Sequence, residues 1–178
     1  MSTKQTGRMA LAGVLTALAL VVLLMTVSPL ATAGLAAVAA LCGIPVVVEL
    51  GRKAGLLHYA AVAVLAALIV PTIEGKGMYI VFFGWYTVFK AFIESKNLPR
   101  PAEWAVKIGV FAIAVSAYAA LWIFLLHMPL PQWFTLWMAP AVLAALCGVF
   151  AVYDVGLTGV IGVYYSRIRP KLSGMFRF

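Results

Sequence analysis

Apolar runs long enough to cross a bilayer alternate along this chain with short segments that carry almost all of its charge. That alternation leaves few folds open. Runs of about 20 apolar residues span the hydrocarbon core as helices, and the chain is 65% hydrophobic with a mean hydropathy of +1.09. No soluble core needs so much apolar content. The expected fold is all-α, an integral membrane bundle of six helices in one domain covering residues 1–178 of a multi-pass cell-membrane protein.

The spans are expected at about residues 9–27, 30–48, 56–70, 78–92, 104–126 and 139–165. Ser28-Pro29 ends the first and Pro71 the third, because proline cannot continue the helical ladder. Glu74-Gly75-Lys76-Gly77 reads as a flexible outer loop. Asn97-Leu98-Pro99-Arg100-Pro101 reads as a rigid inner turn, and Met128 to Trp137, with two prolines and two tryptophans, as an interfacial segment. Lys4 and Arg8 before an apolar run, with Ala31-Thr32-Ala33 after it, resemble a cleavable leader. The run is too long for that, and it is read as a membrane helix.

Threading the runs alternately through a bilayer puts Lys4, Arg8, Arg52, Lys53, Lys90, Lys96, Arg100, Lys107, Arg167, Arg169, Lys171 and Arg177 on one side. Only Lys76 falls on the other. Short loops rich in lysine and arginine stay in the cytoplasm, so both termini are expected there. This retention also explains the net charge of +8 without nucleic acid, since the basic residues flank apolar spans and form no dense patch. Cys42 and Cys147 lie in apolar stretches with no CxxC spacing and read as buried thiols.

Few residues are left to carry chemistry. Asp154 sits well inside the sixth span, where an acid costs on the order of 2.5–3.5 kcal/mol and needs a partner or a proton. Both a ligand or proton site and a structural hydrogen-bonded role fit it. Glu74 and Lys76 are placed to close over a molecule arriving from outside. Glu49 and Lys53 are four apart, as are Lys90 and Glu94, which read as a surface pair near the cytoplasm; Lys107 is expected to snorkel. His58 and His127 fall at opposite faces, which excludes a metal site shared between them. No metalloprotease, phosphate-loop or nucleophile-elbow motif is present, so the chain is not read as an enzyme, and no cofactor is expected. Small residues four apart, Gly13 with Ala17 and Ala141 with Ala145, let helix backbones approach closely.

The segments Pro45-Val46-Val47-Val48-Glu49-Leu50-Gly51, Tyr79 to Tyr86 with Lys90 and Glu94, and Pro101-Ala102-Glu103-Trp104 with Lys107 resemble small six-helix membrane proteins of gut and soil Firmicutes. These are substrate-specific S components, or relatives, of energy-coupling factor (ECF) transporters. The resemblance covers roughly the first three quarters of the chain. It implies a vitamin- or micronutrient-capturing subunit that binds near the outer face and associates with a transmembrane coupling protein and two cytoplasmic ATPases. It also implies a coupling surface on the first helix at Ala10, Gly13 and Ala17.

An outward-facing pocket lined by some of Tyr79, Trp85, Tyr86, Tyr118, Trp122 and Trp133 is then expected, since aromatic faces stack on a flat ligand while giving few charges to the lipid. Two other functions stay open. One is an assembly protein that pairs with another membrane protein, and the other a small proton-coupled or lipid carrier using Asp154.

Overall fold

The computed structural model describes residues 3–28, 31–125, 127 and 135–170. They form α1 (Thr3–Leu24), α2 (Thr32–Leu41), α3 (Gly43–Leu50), α4 (Arg52–Ile69), α5 (Ile73–Met78), α6 (Gly84–Glu94), α7 (Arg100–Ala120) and α8 (Ala139–Val163). π turns at Tyr79–Phe83, Leu121–Leu125 and Tyr164–Ile168 join α5 to α6 and extend α7 and α8. The result is a six-helix all-α bundle in which α2 with α3, and α5 with α6, each make one helix.

Five of the six are long and apolar enough to cross a membrane: Thr6–Val27, Thr32–Leu50, Arg52–Ile69, Arg100–Phe124 and Ala139–Ile168. Their outward surfaces are apolar. Leu68 is 78% exposed, Phe124 77% and Val152 75%, an arrangement that is stable against lipid and not against water. The chain is a multi-pass membrane protein.

The fourth helix, Ile73 to Glu94, carries Glu74, Lys76, Lys90 and Glu94 and so is less apolar than the rest. Its position compensates. Tyr79 packs with Ala19, Leu23, Ala36, Ala39, Val62 and Ala66 of α1, α2 and α4, where alanines allow close backbone approach. One and two turns on, Phe82 and Tyr86 pack with Phe111, Ala114, Phe150 and Leu157 of α7 and α8. The fourth helix therefore meets protein where the others meet lipid.

Several boundaries differ from those expected. Glu74-Gly75-Lys76-Gly77 is helical, and its glycines suit the packing: Gly75 lies directly on Thr26 and Gly77 on the Tyr118 ring, leaving room for no side chain at either. Thr72 adds a 2.6 Å hydrogen bond to the Thr26 hydroxyl. The second helix breaks at Cys42, three residues before Pro45, whose missing N–H is tolerated in the first turn of α3. The third begins at Arg52, directly after Gly51.

Gly51 has φ 89° and ψ 172°, a conformation that is essentially restricted to glycine. The helix therefore does not persist from Glu49 to Lys53, and that pair does not form. Glu49 instead bonds Arg169 Nε at 3.1 Å and accepts from Tyr164 at 3.3 Å. With Arg52 donating to Ser95, these contacts gather the basic segments at one end of the bundle.

His58 is buried between α1 and α4. The Thr16 hydroxyl donates to the Ala12 carbonyl, so the 2.9 Å contact to His58 has Nδ1 as donor. His127 is exposed beyond the fifth helix. Cys42 and Cys147 are free thiols against separate core clusters. Trp133 and most of the expected interfacial segment lie outside the described residues.

Candidate functional site

Helical spacing builds a charged centre between the fourth, fifth and sixth helices. Tyr86, Lys90 and Glu94 recur at four-residue intervals along α6, and Glu103 and Lys107 do so on α7. Asp154 comes from α8, with roughly 21 Å of helix between it and Ile168. Lys90 is 0% exposed, and Lys107 and Asp154 2% each.

Every charge there is paired. The Lys90 ammonium donates to Asp154 Oδ1 at 2.7 Å, to Glu94 Oε1 at 2.7 Å and to the Asp154 carbonyl at 3.4 Å. Lys107 donates to Glu103 Oε1 at 2.6 Å, to Glu94 Oε1 at 3.0 Å and to Asp154 Oδ2 at 3.1 Å. Tyr86 donates to Asp154 Oδ1 at 2.6 Å. An ammonium has three protons to give, and each lysine here has three acceptors. No donor is left over for a ligand.

Lys90 is thus no surface residue, and its pairing with Glu94 continues into the interior. The nearest cations to Asp154 lie on other helices, which a view along its own helix misses. One signal was available: an acid in mid-span requires a partner, and Lys90 and Lys107 are the lysines closest to the apolar parts of neighbouring spans.

A layer of rings covers the centre. Phe111 and Phe150 stack with centroids 4.5 Å apart, and Phe82 and Phe150 both pack on Tyr86. On the other side of this layer a crevice opens. Its inner part, about 290 Å³, is lined by Ala33, Met78, Val81, Phe82, Phe111, Phe150 and further apolar side chains.

The outer part, about 560 Å³, runs between α5, α7 and α8 past Ser116, Trp122 and Leu143 to Glu74. Met78, Val115, Tyr118 and Leu146 line both parts. The π turns shape this space. Tyr79–Phe83 supplies three of the inner lining residues, and Leu121–Leu125 carries Trp122. Insertions of this kind re-aim side chains and recur at functional sites.

The Tyr118 ring lines both parts. Its hydroxyl is buried beside Gly77, without a hydrogen-bond partner among the described residues.

Of the residues singled out from the sequence, Glu74, Tyr118 and Trp122 come together at this crevice. The others among the described residues are placed elsewhere. Tyr79 is in the core against Tyr59, and Trp85 donates to the Val81 carbonyl at 2.8 Å. Tyr86 and Asp154 belong to the charged centre. Lys76 turns to the end of α4, donating to the Val70 carbonyl at 3.1 Å. Ala10, Gly13 and Ala17 lie on an exposed strip of α1. Met78, Phe82, Phe111, Phe150 and Leu146 carry no sequence signal that separates a cavity wall from ordinary core.

The chain matches no protein-family model, no curated protein and no solved structure.

Proposed function

We propose that the chain is a non-enzymatic binding subunit of a membrane importer, holding a small molecule in the crevice between its fourth, fifth and sixth helices. The crevice itself carries this reading: an apolar cavity over Phe82 and Phe150 adjoins an outer one that ends at Trp122 and the Glu74 carboxylate. Small-molecule sites combine an apolar wall with few polar groups, as this crevice does. Asp154, whose oxygens are already taken, acts in this reading as a clamp that fixes the fourth, fifth and sixth helices. The cargo class is a vitamin or other micronutrient. The exposed Ala10, Gly13 and Ala17 strip meets a coupling protein that works with cytoplasmic ATPases.

Filling the inner cavity tests the reading. Ala114 lines it, and Ala114→Trp inserts a ring into that space. A small-molecule extract fractionated for activity is expected to raise the melting temperature of the wild type and leave the variant unchanged. A fraction that stabilises both equally contradicts the crevice as the site.

Import from outside also requires the crevice mouth to face outward. In a cysteine-free background, Ile73→Cys near the mouth is expected to react with an impermeant maleimide in intact cells, and Lys53→Cys only after lysis. The reverse pattern overturns the orientation. Lys53 is exposed and Ile73 is 36% exposed, so both positions can be reached by the reagent.

A further inference from the structure

The mouth of the crevice carries a charge that no described residue pairs. Among the described residues Glu74 has no ion pair and no side-chain hydrogen bond, and it lines the outer cavity beside Trp122. Lys76 lies two positions on, but its ammonium is committed to the Ala67 and Val70 carbonyls at 3.4 and 3.1 Å. There it caps the C-terminal end of α4, a favourable place for a cation. Among the described residues, no other group at the mouth offsets the carboxylate.

Two aromatic rings stand next to it. Tyr118 and Trp122 have centroids 6.1 Å apart and planes inclined by 36°, and both line the outer cavity with Glu74. Ring faces attract cations, tryptophan most strongly, and rings set at an angle form the walls of sites for ammonium groups. An anion entering here meets the Glu74 carboxylate. A neutral molecule leaves that charge unanswered.

Resting on the crevice reading above, we infer that the ligand is an organic cation. Its ammonium or related cationic group lies among Glu74, Tyr118 and Trp122, and its apolar body extends between Met78 and Leu146 into the cavity over Phe82 and Phe150. The Tyr118 ring, which lines both cavities, stands beside the passage between head and body. Gly77 lets the ring sit there, since a Cβ at that position would stand 2.9 Å from it.

Three probes with one tail and different heads separate the claims: hexyltrimethylammonium, hexanol and hexanoate, titrated by calorimetry into the full-length protein in uncharged maltoside micelles. Hexyltrimethylammonium is expected to bind roughly tenfold more tightly than hexanol, with hexanoate weakest. Glu74→Gln, an exposed change that leaves packing intact, is expected to bring the cation down to the level of hexanol. Equal binding of all three, or a cation preference that survives Glu74→Gln, overturns the cationic ligand and leaves the crevice standing. Binding of none, or binding that Ala114→Trp does not reduce, overturns both.

Discussion

Lys90→Met is expected to destabilise the bundle by about 3–5 kcal/mol, the range for removing one partner of a buried charge pair. The arithmetic of the centre says why this exceeds the effect of Asp154→Asn. Two lysines face three carboxylates, Glu94, Glu103 and Asp154. Removing Lys90 leaves three acids on one ammonium, with Asp154 2% exposed and unable to reach water. Removing the Asp154 charge leaves two lysines matched to two glutamates.

Asp154→Asn keeps an oxygen for Tyr86 and Lys90, so its cost is expected near 1–3 kcal/mol, that of weakened buried hydrogen bonds. The double change Lys90→Met with Asp154→Leu replaces a pair by apolar groups. It is expected to recover roughly half or more of the Lys90→Met loss, since such replacements are often neutral. Reversible unfolding in mixed micelles measures all three. Equal losses for the single variants, with no recovery in the double, contradict a closed charge network.

Gly84→Val is expected to cost about 3 kcal/mol, the upper end for overpacking a tight interior. A Cβ at Gly84 would stand 2.6 Å from Tyr59 Cδ2 and 2.7 Å from Tyr79 Cε1. Neither ring can withdraw. Tyr59 is held by its 2.8 Å bond to the Ile80 carbonyl, and Tyr79 is 1% exposed in the core. Gly109 is the control: nothing lies within 4 Å of a Cβ there. Gly109→Ala is expected to be neutral or stabilising by up to ~1 kcal/mol, from helix propensity alone. Similar effects at both glycines contradict the close approach of the third and fourth helices at Gly84.

Local pattern and long-range pairing were not equally legible in the sequence. The number of helices and their approximate centres follow from apolar periodicity, because lipid imposes the same requirement on every span. The start of the fourth helix was missed for a local reason: two glycines and two charges read as a loop until Thr26 and Tyr118 are seen filling the space beside Gly75 and Gly77. The extra length at Arg52 was hidden by Gly51, whose positive φ turns the chain sharply enough for a new helix to begin at once.

The charged centre was half visible. Asp154 signalled the need for a partner, but Lys90 and Lys107 are 64 and 47 residues away in the chain, and no pattern within one helix pairs them. At the crevice, Glu74, Tyr118 and Trp122 stood out as charge and aromatics near one end of two spans. Tyr79, Trp85 and Tyr86 stood out equally, and only helix rotation, fixed by the alanine-rich packing on one side and the phenylalanine layer on the other, separates the two sets.

Native mass spectrometry of the protein released from mild detergent tests the crevice most directly. The wild type is expected to carry a small molecule of defined mass that Ala114→Trp lacks, while both variants keep the same folded charge-state distribution. A wild type without any adduct after extraction from native membranes, or an identical adduct on Ala114→Trp, would contradict a ligand site between the fourth, fifth and sixth helices.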